Sequence, residues 1–331
     1  MIDRIVCSKN KVSSKNGTDY YKYTFKYINN KTEKDKEKDK EKDKEKEVTD
    51  EPTLNRIKKL VIPPQWKSVK ISDDPTDYLQ VSGIDKNGKT QYIYHPLFIS
   101  LTDQDKYVRL KHFCQKIHLL FDFIKTIKRN FNDKNYIIGL MFRLLSRTHI
   151  RIGNDCYVSE TGTYGLTTLE KRHITINGSL ITLDFIGKKN IRNKVNISSA
   201  SLAKDLSYLK TLTGSRLFKT IDNQVIKSSD MNSFLCESIG SQEFSCKDFR
   251  TYASNILFIK NLKDLNNKDL SSKEIEENIK SIFKDVSEDL NHSAAISKGS
   301  YVIPHILDRY RENPLFFKKG AKPVDLLIKL L

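Results

Sequence analysis

Polar and apolar positions change period along this chain, and the change divides it. Residues Thr18 to Asn30 are rich in Tyr, Phe and Thr, which favour extended backbone, and they predict a strand paired with an earlier one near Arg4–Ser8. From Lys34 to Lys46 a Lys-Asp-Lys-Glu repeat leaves no apolar face. It predicts a solvated, disordered insertion in a surface loop, spanning 31–48, and is assigned no chemistry. Order is expected to resume near Leu54. The adjacent prolines Pro63 and Pro64 exclude regular helix between Ile62 and Trp66 and predict a buried turn. Tyr78–Val81 and Gln91–Tyr94 flank Asp85-Lys86-Asn87-Gly88, where Asn-Gly supplies the positive φ of a tight hairpin. The first hundred residues therefore read as mainly β.

After about residue 104 the period becomes helical. Phe113, Ile117, Leu120, Phe121 and Ile124 share one face, and Ile137, Leu140, Met141, Leu144 and Leu145 share another on a helix from about Tyr136 to Arg147. A β excursion follows, with His173–Ile176 and Leu180–Ile186 joined through Asn177-Gly178. Helices return at Lys247–Leu262 and Lys273–Leu290, the latter opened by Ser271 and Glu274 at capping-box spacing. The expected class is α+β: a small β-rich N-terminal domain over 1–103 and a larger, mainly α-helical domain over 104–331.

Charge sharpens this picture. Lys and Arg number 58 against 41 Asp and Glu, a net +17. Residues 31–48 hold eight lysines and eight acids and are neutral, so the whole excess belongs to the rest of the chain. A basic surface for a polyanion follows. No stretch approaches the roughly 20 apolar residues of a membrane span, and the N-terminus has no apolar signal-peptide run; an intracellular protein is expected, with no membrane partner. The five cysteines form no Cys-x-x-Cys pair, which argues against a disulfide framework or a zinc site.

Phosphoryl transfer on a nucleic acid needs a nucleophile, positive charge on the phosphate oxygens and an acid for the leaving oxygen. Outside the charged repeat there is no dense carboxylate cluster and no His-Glu-x-x-His word. A site without metal would use Arg, Lys and His, and arginine suits it because its planar fork stays charged and can grip two oxygens.

Several words occur in order along the chain. They are Ile62 to Trp66, Gln91 to Pro96, His149 to Asn154, Tyr164 to Leu169, Phe185 to Lys188, Lys247 to Tyr252 and His292 to Tyr301. Together the words resemble the small type IB DNA topoisomerases of poxviruses, mimivirus-type viruses and bacteria. The resemblance implies a barrel-like N-terminal domain and a catalytic domain of the tyrosine recombinase and type IB topoisomerase kind, acting on duplex DNA without metal, ATP or other cofactor as a monomeric clamp. It implies that Tyr301 is the nucleophile, forming a 3′-phosphotyrosyl bond, and that Arg151 and Arg250 hold the non-bridging oxygens. His292 would donate to a phosphate oxygen and Lys188 would protonate the departing 5′-oxygen; the neighbouring Lys189 is the alternative. Gln91, Tyr92, Tyr94, Tyr157 and Lys171 would touch DNA, as would Lys247 if it shares a helix face with Arg250. The competing readings are packing of Tyr92 and Tyr94 under the sheet, a strand-transferring recombinase, and a noncatalytic basic DNA-binding protein. The sequence departs from the family after Pro96, where Leu97 to Thr102 stand in place of several basic residues and the next basic positions are Lys106 and Arg109. If the source is a large DNA virus, which the Lys, Asn and Ile usage suits, the virion or a cytoplasmic viral factory is the expected location.

Overall fold

A computed structural model describes residues 4–15, 18–28, 46–265, 268–318 and 320–331. Most of the charged repeat, residues 29–45, lies outside the described residues, so the expectation of a loop insertion lies outside them too. The chain divides into two compact units, 1–105 and 106–331.

In the first unit, β1 (Arg4–Lys15) pairs antiparallel with β2 (Thr18–Ile28), with Arg4 opposite Ile28 and Lys15 opposite Thr18. The strand expected near Arg4–Ser8 is there and runs further. Order resumes earlier than expected: β3 (Lys46–Glu47) already pairs with β2, and Val48 is buried. Val48 is the first apolar residue after the repeat, and burying it anchors the chain. Asp50 then caps α1 (Glu51–Lys59) by accepting the Thr53 amide at 3.1 Å, with Pro52 in the first turn. β4 (Lys67–Ser72), β5 (Leu79–Ile84) and β6 (Thr90–Tyr94) complete a six-stranded sheet of order β3-β2-β1-β4-β5-β6. Its core joins Val48, Ile57, Val69, Ile71 and Val81. Trp66 lies on the sheet over Gly83, where any Cβ would come within 2.8 Å of the indole.

The first long helix, α2 (Pro96–Thr126), begins some eight residues before the helical period becomes legible. Proline at the first helical position is pre-set for the turn, and the His95 ring accepts the Leu97 amide at 3.1 Å. Leu97, Ile99 and Leu101 are exposed. Exposed apolar residues on more than one side of the helix erase the amphipathic signal there.

The second unit adds α3 (Lys134–Thr148), α4 (Asp155–Thr161), a three-stranded sheet of β7 (Ile174–Asn177), β8 (Leu180–Gly187) and β9 (Ile191–Ser198), then α5 (Ala200–Thr211), α6 (Ser228–Ile239), α7 (Asp248–Asp264) and α8 (Ser272–Asp289). A single turn, α9 (Ala294–Ile296), precedes α10 (Pro304–Glu312) and α11 (Pro323–Leu330). The Ser271–Glu274 capping box forms as expected. The β7–β8 turn differs from expectation: Asn177 pairs with Leu180, so the loop is Gly178-Ser179, and only Gly178 has positive φ, 59°. Glycine at the first loop position is what a II′ connection requires.

The unit has two apolar cores. One collects α3, β7, β8, α5 and α6; the other collects α7, α8, α10 and α11. α7 lies on the seam: Phe249 belongs to the first core, Ala253 and Phe258 to the second, and Tyr252 packs against both.

Candidate active site

The seam is where three of the expected catalytic residues, Arg250, His292 and Tyr301, meet. Arg250 projects from the first turn of α7 and is only 8 % exposed. One terminal nitrogen donates to the His149 carbonyl at 2.9 Å, and the other donates to the Leu290 carbonyl. His149 caps α3 in the left-handed region (φ 50°), so the chain reverses and its carbonyl is free to turn to α7. The Arg250 Nε is buried and has no hydrogen-bond partner among the described residues. Burial, then the like charge of Arg151, lowers the Arg250 pKa, while Tyr301 pulls it back.

Arg151 follows two residues after His149 and is half-buried. Its segment is clamped through the main chain: the Leu166 amide donates to the Arg151 carbonyl at 2.8 Å and the Thr167 amide to that of Ile152 at 2.7 Å. Two glycines allow this approach. Gly153 has φ 85°, and a Cβ on Gly165 would lie 2.5 Å from the Gly153 nitrogen.

Tyr301 ends a π-helical turn, Ser297–Tyr301, after α9. Its ring lies 5.8 Å from the Arg250 guanidinium carbon and 5.1 Å from the His292 ring, edge to face at 72°. His292 is 8 % exposed; burial first, then the charges of Arg250, Arg151 and Lys189, push its pKa down to about 4. The imidazole is therefore neutral at neutral pH and can only act as a hydrogen-bond donor through one nitrogen. Burial and Arg250 likewise bring His149 down to about 4.

The lysines sit at the β8–β9 tip. Lys188 and Lys189 are both exposed, and Lys189 and Asn190 adopt positive φ, 64° and 58°. The charge of Lys189 is the last of the causes that lower the His292 pKa, and Lys188 stands exposed beside Lys189.

The DNA-contact candidates are dispersed. In the first unit, Tyr92 and Tyr94 share the outer face of β6, 50 % and 37 % exposed, with ring centroids 6.1 Å apart. They do not pack under the sheet. Gln91 is half-buried and donates to Asp85 at 2.9 Å. In the second unit, Tyr157 is exposed on α4, and Lys171 is half-buried with its amide on the Ser215 carbonyl. Lys247 is the exposed cap residue before α7, in helical conformation with its carbonyl accepting the Arg250 amide at 3.0 Å, while Arg250 itself is buried. Of the basic residues after the departure, Arg109 pairs with Asp248 at 3.2 Å and Lys106 donates to the Ser300 carbonyl at 2.6 Å, next to Tyr301.

The most informative residue not anticipated is Asn255. Fully buried on α7, it donates to the Tyr301 carbonyl and accepts the Ile303 amide, both at 2.9 Å. It ties the strand of chain bearing Tyr301 to the helix bearing Arg250. An amide at a position of an otherwise apolar face was the available signal. No group of three or more His, Cys, Asp or Glu among the described residues is placed to hold a metal ion. No helix among them is long and apolar enough to cross a membrane.

Tyr301, Arg250 and His292 come together on a helical scaffold, with Arg151 close enough for its charge to act on Arg250 and His292, and comparison with known proteins shows the family. Residues 97–318 match the family described as eukaryotic DNA topoisomerase I, catalytic core, and residues 41–85 match the N-terminal domain of bacterial DNA topoisomerase IB. DNA topoisomerase 1B of Acanthamoeba polyphaga mimivirus is 33% identical over 291 residues, covering 84% of this chain and 86% of that protein. DNA topoisomerase I of Monkeypox virus is 26% identical over 243 residues, 70% and 72% of the two chains, and DNA topoisomerase 1 of Rabbit fibroma virus is 25% identical over 277 residues, 78% and 81%. The chain belongs to the type IB DNA topoisomerases, a family of isomerases.

Proposed function

We propose that this protein relaxes duplex DNA by cutting one strand through Tyr301 and resealing it, without metal or ATP. The observation that carries the reading is the meeting of half-buried Tyr301 with buried Arg250 and His292, within the charge of Arg151. In the forward step the Tyr301 oxygen bonds to phosphorus, the phenol proton passes to solvent water, and the bond to the 5′-oxygen breaks. Arg151 and Arg250 neutralise the non-bridging oxygens, and His292 donates to one of them. Lys188 gives the 5′-oxygen its proton, with Lys189 holding positive charge nearby. The covalent link preserves the phosphodiester energy, so the reverse step needs no nucleotide. The helical unit is a catalytic domain of the tyrosine recombinase kind. The β-rich unit, barrel-like and presenting Tyr92 and Tyr94, grips DNA, and one monomer acts as the clamp. A large DNA virus is the proposed source, with the virion or a cytoplasmic factory as the place of action.

The test is relaxation of supercoiled plasmid in EDTA without ATP, wild type beside Tyr301→Phe. The wild type is expected to remove supercoils of both signs and the variant none, while both retain duplex affinity within a few-fold. A covalent protein–DNA adduct persisting in Tyr301→Phe would overturn the assignment.

A further inference from the structure

Ser297 opens the π-helical turn that ends at Tyr301, and it is 0 % exposed. Its main chain serves the turn: its amide donates to the Ser293 carbonyl at 3.1 Å and its carbonyl accepts the Val302 amide at 2.9 Å. Its hydroxyl is not needed for that geometry. The hydroxyl lies instead 3.1 Å from Nε2 of His292. The other ring nitrogen of His292, Nδ1, is buried and has no partner among the described residues.

A neutral imidazole donates at one nitrogen and accepts at the other, whereas a hydroxyl does either by rotating. For Nδ1, which has no partner among the described residues, to donate to a phosphate oxygen, Nε2 must accept, and the Ser297 hydroxyl turned as a donor holds that tautomer. The ring is also oriented by a residue of the nucleophile's own turn, so histidine and tyrosine are held in register. The charged groups facing the ring, Arg250, Arg151 and Lys189, all oppose an imidazolium. What remains to be set is which nitrogen carries the proton. We propose that Ser297 is a positioning residue for strand cleavage: its hydroxyl holds Nε2 of His292 and so sets the tautomer and orientation of the imidazole beside Tyr301. This rests on the reading that Tyr301 cuts DNA and His292 serves the phosphate.

The experiment uses the full chain as wild type, Ser297→Ala and Ser297→Cys. It measures single-turnover adduct formation on a duplex at saturating protein, duplex affinity, and the 15N signals of the His292 ring, assigned by their loss in His292→Gln. Losing one neutral hydrogen bond to the reacting machinery predicts a cleavage rate about 5- to 10-fold lower in Ser297→Ala, with affinity within about twofold. The ring signals should move to a different tautomer balance, and the cysteine variant should fall between. Wild-type cleavage in Ser297→Ala overturns the proposal. So does slower cleavage with unchanged His292 signals, since the serine would then act through the turn alone. If the wild type forms no adduct, the cleavage reading of Tyr301 fails instead, and an unchanged 15N pattern would still overturn the Ser297–His292 coupling.

Discussion

Arg250 is a buried cation with no carboxylate paired to it among the described residues; two main-chain carbonyls hold it, and its Nε faces no acceptor. Such a group is costly to desolvate unless an anion completes it. The arrangement suits an oxyanion gripped by a rigid fork, which lysine cannot reproduce. Arg250→Lys should slow adduct formation by about 100-fold or more, the scale of losing one preorganised donor, with duplex affinity nearly unchanged. Rates within a few-fold of wild type would remove Arg250 from the chemistry. The histidines carry a pH consequence. With folded pKa values near 4 against an ordinary 6.5, His149 and His292 are neutral in the fold where the unfolded chain takes up protons. Above pH 6.5 neither affects stability; as pH falls from 6.5 toward 4, each costs stability, and below about 4 the loss levels off. Melting temperature followed across that window should fall less steeply in His292→Gln, and an identical slope would contradict the low folded pKa.

At the scale of elements, the site depends on how short segments cross rather than on any one helix. The clearest crossing is the loop after α3 against the residues before Leu166, where Gly153 and Gly165 touch through their backbones. A methyl group on Gly165 has no room, because the atoms it meets are main chain, including the Arg151 carbonyl at 2.7 Å. Gly165→Ala should therefore displace Arg151 and cost about 1–3 kcal/mol of stability as well. A denaturant midpoint matching wild type, with normal cleavage, would show that this crossing is not needed. The glycine words were visible in the chain, but their contact was not: each glycine alone is compatible with an ordinary turn. The start of α2 at Pro96 is not legible for a related reason, since a helix that exposes Leu97, Ile99 and Leu101 on different sides has no amphipathic signal to read.

For the whole molecule, the neutral repeat and the strongly basic remainder play separate parts. The +17 lies outside residues 31–48, so duplex affinity should depend on the folded units and fall with salt. Deleting 34–46 is expected to leave relaxation largely intact, measured as the plasmid-relaxation rate at fixed salt. A large loss would show that the charged segment takes part in DNA handling.

Local pattern determined much of this protein. The β-to-helical change of period, the Ser271 capping box, the helices near 136–147 and 247–262, and the ordered words ending at Tyr301 are all short-range features, governed by backbone preference and side-chain periodicity. Tertiary structure decided what those residues do to one another. Arg250 meets carbonyls 101 and 40 residues away, and Asn255 holds the Tyr301 segment across 46. No periodicity encodes such contacts. They arise because α7 sits on the seam of two apolar cores, and burying both of its faces carries Arg250 and Asn255 into the interior, where each must find polar partners in whatever chain the packing brings alongside.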